Sequence, residues 1–230
     1  GPNGRFVPAA SAAPAARAAP AARAAPAAKA PPTNAGSGFA ALFDGPLRVV
    51  YGTRKKGSAA ENEAIARILV TGAAGSFELL PDSSLTSAME ASSSILLVGW
   101  PDENSVLARL AAKLPFAMRG RKVAIPDDKI AGSGLILVCP NPEALGKLVG
   151  VLALPMRGKA AADYARTLIA PLASYGPQAE PCGYWMPDAV VLDGSGAALW
   201  AGSYDWRWEK LRKIAAPREG LDPLDASRTF

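Results

Sequence analysis

Histidine is absent from all 230 residues, and cysteine occurs only twice. Without imidazole the chain has no Ser-His-Asp or Cys-His nucleophile pair. It also has no histidine metal ligand, and two cysteines cannot make a four-ligand zinc site. No catalytic residue, metal or cofactor is therefore expected. No uninterrupted apolar run approaches about 18 residues, so no membrane span is expected. There is no compact charged-then-apolar leader, and any targeting peptide is expected to have been removed or never to have belonged here. Charge of one sign is scarce as well, with 25 Lys+Arg against 20 Asp+Glu. Four of the basic residues, Arg5, Arg17, Arg23 and Lys29, lie in the first 43 positions, where there is no acid, leaving 21 against 20 elsewhere. A nucleic-acid-binding domain carries its basic patch on the folded part, so this balance argues against nucleic acid as a partner.

Half the residues are hydrophobic, enough to build a globular core. They are organised as a tail followed by one domain. Pro14, Pro20, Pro26 and Pro32 recur every six residues, with Arg17, Arg23 and Lys29 between them. Proline at this spacing prevents a regular helix and leaves little to bury. Residues 1–42 are expected to form a Pro/Ala-rich disordered linker, residues 43–215 an α/β domain and residues 216–230 a C-terminal tail. Gly1-Pro2 has the form of a protease remnant, and a spacer so placed implies a fragment or processed product of a larger protein.

Within the domain, strands are expected at 47–51, 77–80, 94–99, 135–139 and 148–154. Helices are expected at 59–70, 105–114 and 160–172. The first would be capped by Ser58 with Glu61 completing a capping box. Residues 116–118 and 122–125 read as a hairpin over Arg119-Gly120. Residues 189–192 and 198–202 read as another around Asp193-Gly194-Ser195-Gly196. The alternation predicts a three-layer α/β sandwich, flavodoxin-like or Rossmann-like, with a mostly parallel sheet and an antiparallel edge hairpin.

Four short motifs stand out. They are Phe43-Asp44-Gly45-Pro46 with Tyr51-Gly52-Thr53 and Asn62; Gly99-Trp100-Pro101-Asp102-Glu103-Asn104-Ser105; Pro140-Asn141-Pro142; and Pro187-Asp188-Ala189-Val190-Val191-Leu192-Asp193. Over residues 43–211 they resemble an α/β accessory domain appended to α/β-hydrolase-type peptidases and esterases of planctomycetes and related bacteria. In that family the nucleophile belongs to the separate hydrolase domain. This chain has no Gly-x-Ser-x-Gly elbow and no histidine, so it is not that domain. The resemblance implies an exported (periplasmic or extracellular) accessory domain whose partner is a parent-protein domain or another subunit.

Gly52, Lys55, Lys56, Gly57 and Ser58 lie between the first strand and the first helix, where open α/β sheets bind ligands and a helix N-terminus favours anions. They form a candidate phosphate-like anion site, although Ser58-Ala59 departs from the Lys-Ser/Thr of a P-loop. The alternative is an exposed basic turn. The Gly72–Gly75 glycines follow a helix and precede a strand, which excludes a dinucleotide fingerprint. Asp102 and Asn104, with Glu103 between them, follow the strongest strand and form a candidate crevice for a hydroxyl-rich ligand or hard cation; a turn capping a helix at Ser105 explains them without a ligand and is the preferred reading. Trp200, Tyr204, Trp206 and Trp208 share strand parity. They form a candidate partner or glycan surface if exposed, and a sheet-covering layer if buried. Cys139 and Cys182 suit a disulfide in an exported protein; a buried free thiol at Cys139 is the alternative. Three functions follow: a non-catalytic accessory or interaction domain tethered by the Pro-Ala linker to a larger hydrolase-type protein, a domain binding a small anionic ligand, or a histidine-free enzyme.

Overall fold

A computed structural model describes residues 38–43, 45–72, 77–124, 131–175, 187–204 and 211–213. The Pro-Ala repeats, Cys182, Trp206, Trp208 and the tail 216–230 lie outside the described residues. The strands are β1 (Leu47–Tyr51), β2 (Phe77–Pro81), β3 (Ser94–Val98), β4 (Ala117–Arg119), β5 (Lys122–Ala124), β6 (Ala131–Gly132), β7 (Gly134–Pro140), β8 (Leu148–Ala153), β9 (Ala189–Leu192), β10 (Ala198–Tyr204) and β11 (Leu211–Lys213). The helices are α1 (Lys56–Gly72), α2 (Ser87–Ser92), α3 (Ser105–Leu110) and α4 (Gly158–Tyr175), with 3-10 turns at Gly38–Phe43, Asp82–Ser84 and Ala111–Lys113.

Eight strands form one sheet in the order β11-β10-β9-β7-β8-β3-β1-β2. β2, β1, β3 and β8 run parallel, whereas β8-β7, β7-β9, β9-β10 and β10-β11 are antiparallel. The sheet is thus mixed, not mostly parallel. The reason lies in a connection: residues 141–147 join β7 to β8, too short a link for the crossover that parallel neighbours require. β9 and β10 pair around the turn at Asp193, whose Oδ1 accepts from the N–H groups of Ser195 and Ala197. β11 lies beyond β10, so this pair sits one strand in from the edge. β4, β5 and β6 form a separate small antiparallel sheet.

Strand parity divides the core. On one face Val49, Leu96, Val98, Ile136 and Leu152 pack against Ile65, Ala66 and Leu69 of α1, Ala165 and Leu168 of α4, and Phe39 and Leu42 of the first 3-10 turn. On the other, Val50, Ile95, Leu97, Leu137 and Val151 meet Trp100, Leu107 and Leu110 of α3, Phe116, Val123 and Trp200. Both faces are therefore covered, and β8 is buried along its whole length. The folded body includes Gly38–Phe43, most of which the sequence reading assigns to the linker. Phe39 and Leu42 are each 1 % exposed there, and Gly150 of β8 leaves room for Leu42.

The expected start of α1 moves, whereas α3 begins at Ser105 as expected. α1 begins at Lys56, so Ser58 sits inside the first turn and does not cap it; its hydroxyl donates to Lys55 O at 3.4 Å. Glu61 turns away to Arg157 and completes no capping box. The N-cap of α3 is Asn104, whose Oδ1 accepts from Val106 N–H at 3.0 Å and Leu107 N–H at 3.1 Å.

Candidate functional site

α1 leaves β1 on one face of the sheet, while α3 leaves β3 on the other. The loops after these adjacent parallel strands diverge, which opens a crevice beyond their carboxyl ends. Its walls are held by buried polar residues. Gly52 N–H donates to Val98 O at 3.0 Å, and Arg54 N–H to Glu103 O at 2.8 Å. Gly99 adopts φ +108°, where glycine is favoured, and a Cβ there would stand 2.9 Å from Asn62 Nδ2. The residues after it turn back tightly, with Glu103 and Asn104 N–H both donating to Trp100 O at 2.8 Å. Asn104 Nδ2 donates to Val50 O and Val98 O, closing the ends of β1 and β3.

Asp82, at the end of β2, ties the same edge together. Its carboxylate accepts from Thr53 N–H at 3.0 Å, Thr53 Oγ1 at 2.5 Å and Ser105 N–H at 2.5 Å. Burial raises its pKa, but the bonds from Ser105 and Thr53 outweigh burial and hold the group below its ordinary value.

The crevice has a volume of about 580 Å³ and is lined by Lys55, Lys56, Gly57, Ser58, Glu61, Glu103, Arg121 and Arg157. Glu103 is its floor, 1 % exposed. Its Oε2 accepts from Trp100 N–H at 3.2 Å and Asn62 Nδ2 at 3.5 Å. Its Oε1 is paired with both Arg121 and Arg157. Arg121 comes from the turn between β4 and β5, its guanidinium 6.0 Å from the Trp100 ring centroid. Arg157 precedes α4 and also pairs with Glu61 at 2.8 Å. Lys55 pairs with Asp102 across the mouth. Lys56 makes no ion pair among the described residues, and the first-turn N–H groups of Lys56 and Gly57 have no helical acceptor. A Cβ at Gly57 would meet nothing within 4 Å, so backbone is accessible there. Four cationic side chains and open N–H groups around a polar crevice are suited to an oxyanion.

The structure thus brings Lys55, Lys56, Gly57 and Ser58 together. Gly52 does not line the crevice: it is buried, and a Cβ there would stand 2.6 Å from Glu103 O, so its role is close backbone packing. Asn104 is fully buried as a cap. Asp102 pairs with Lys55, and its Oδ1 has no hydrogen-bond partner among the described residues. No group of three His, Cys, Asp or Glu among the described residues has the geometry to hold a metal ion. Trp200 is 6 % exposed and packs edge-on against Phe116 at 5.6 Å, which removes it from the candidate glycan surface. Tyr204 is partly buried and donates its N–H to Asp188 Oδ2 at 2.8 Å; burial, then Cys139 and Asp188, push its phenol well up. Cys139 is a buried free thiol inside β7, and burial followed by the Asp188 charge raises its pKa to about 12; the expected pairing with Cys182 lies outside the described residues.

Sequence reasoning missed Arg121 and Arg157. Arg157 carried a usable signal, a cation between a buried strand and a helix at the same sheet edge. Arg121, on a hairpin turn of a different sheet, carried none.

No protein-family model and no curated protein matches the chain.

Proposed function

We propose that this is a non-catalytic binding domain whose ligand is a small anion held in the crevice between the β1–α1 and β3–α3 loops. The observation that carries the reading is the convergence of two guanidinium groups over a buried carboxylate, beside the open first turn of α1. The β2-β1-β3 order with β8 parallel beside β3 supports a flavodoxin-like assignment for that half of the sheet, whose ligands bind at this switch point.

A thermal-shift screen of the full chain tests it, using inorganic phosphate, sulfate, sugar phosphates, nucleotides and oligosaccharides. A ligand at about 100 times its Kd stabilises the fold by about 2.7 kcal/mol. Stabilisation by an anion, lost in Arg157→Ala and Lys56→Ala, is the expected result. No shift with any anion overturns the reading.

A second reading, an accessory domain of an exported hydrolase-type protein, is favoured by where its motifs fall. Asn62, Glu103, Asn104, Asn141 and Asp188 are all at most 4 % exposed and pin turns at strand ends. The resemblance therefore concerns a scaffold, on which the two readings are compatible. A docking role by itself has less support. Leu145 and Leu199 are the exposed large hydrophobic residues among those described, and Trp200 is covered.

A further inference from the structure

Charge matching alone does not account for the crevice. A buried carboxylate in the floor of an anion site repels the ligand, yet Glu103 stands there with both oxygens engaged. It uses one nitrogen of each guanidinium, and a guanidinium carries five N–H donors. Arg157 gives its other terminal nitrogen to Glu61 at 2.8 Å, and Arg121 lies beside the Trp100 ring. Both arginines come from loops, the β4–β5 turn and the β8–α4 connection, and both are more than one-third exposed. The shared carboxylate is what draws them to one point.

Resting on the ligand reading above, we infer that Glu103 is a positioning residue and that the ligand is a tetrahedral oxyanion ester, a phosphate or sulfate monoester, rather than a carboxylate. Donors reach the crevice from three segments: Lys56 and Gly57 at the start of α1, Arg121 on the hairpin turn, and Arg157 before α4. A carboxylate has two coplanar oxygens and is saturated by one guanidinium fork. Three terminal oxygens in a tetrahedron give each segment an acceptor. Among the described residues no apolar side chain lines the crevice, and Trp100 is 1 % exposed, so the organic part of the ester gains nothing from them by entering and stays in solvent.

Calorimetric titration of the full chain with methyl phosphate, methyl sulfate and acetate tests this. One ester is expected to bind about tenfold tighter than acetate. A phosphate ester loses its second charge near pH 6, so its binding weakens between about pH 7.5 and 5, whereas sulfate binding does not. Glu103→Gln adds one positive charge to the crevice. Positioning predicts about tenfold weaker ester binding, and charge alone predicts tighter binding. Arg121→Lys with Arg157→Lys keeps the charge but removes the planar forks, and is expected to lose about tenfold even where Glu103→Gln does not fold. Equal affinity for acetate overturns the ester assignment and leaves the ligand reading standing. Unchanged or tighter ester binding in a folded Glu103→Gln protein, or in the double lysine variant, overturns the positioning role. Binding of none of the three probes overturns the ligand reading itself.

Discussion

Asp82, just after β2, links the loop after β1 to the start of α3 through one side chain. Because its carboxyl titrates below the ordinary value when folded, its contribution to stability is present in full above the unfolded pKa of about 3.9 and is lost as pH falls through the folded one. Asp82→Asn places an amide N–H₂ against a backbone donor and is expected to cost about 1–2 kcal/mol at pH 7. The difference from the parent protein should narrow as pH falls below the unfolded pKa and through the folded one, read by urea denaturation at pH 7 and in acid. Gly99 poses a backbone problem of a different kind. Alanine there would have to hold φ +108° and press on Asn62 and Glu103, so Gly99→Ala should lose about 1–3 kcal/mol in the same assay. Gly99 stood in one of the sequence motifs, whereas Asp82 was not singled out. Which carboxylate would bond which amide was not visible in the sequence, because Asp82 reaches Thr53 across 29 positions and Ser105 across 23.

The 3-10 turn Gly38–Phe43 behaves as a plug on one sheet face. Leu42 is 1 % exposed, and a Cβ at Gly150 would overlap it. Leu42→Ala should cost about 2–5 kcal/mol, the range for a buried leucine, and Gly150→Ala about 1–3 kcal/mol through overpacking. The two changes touch the same space, so the double variant is expected to be more stable than the sum of the single losses predicts, as measured by a double-mutant cycle. Long elements were legible from periodicity: β1, β3, β7, β8 and α4 lie within three residues of their expected bounds. The short ones were not. α2 has six residues with no apolar stripe, and its cap at Thr86 gives it little local signature. The buried 3-10 turn follows an alanine-rich tract whose composition continues into it. The start of α1 shifted because first-turn N–H groups can face solvent or ligand, so no capping side chain was needed to mark it.

Across the whole molecule, Cys139 reports on global opening. It sits within β7, between β8 and β9 at the middle of the sheet, 3 % exposed and with its thiol pKa raised to about 12. In a Cys182→Ser protein, alkylation at pH 8 should be negligible while the fold holds, and should rise with urea in step with loss of helical circular dichroism. Labelling well before that transition would show that β7 opens locally. Which charges meet also appears only at this scale, and the crevice carries three acids, Glu61, Asp102 and Glu103, beside its four cations. Lys55, Lys56, Arg121 and Arg157 gather at the carboxyl ends of the parallel strands, while Glu78, Glu90 and Glu143 pair with Arg48, Arg109 and Lys113 elsewhere.

The sequence by itself determined the chemistry that is excluded and the layering that is present. Lack of histidine is a property of composition, and strand or helix periodicity is set by neighbours within a few residues. Tertiary structure alone decided the mixed sheet and the site. Strand direction depends on the length and path of a connection, as the short β7–β8 link shows. Arg121 and Arg157 meet Glu103 from 18 and 54 positions away. Parallel strands bring their following loops to one edge whatever their order in the chain, and that proximity leaves no local trace in the residues that share it.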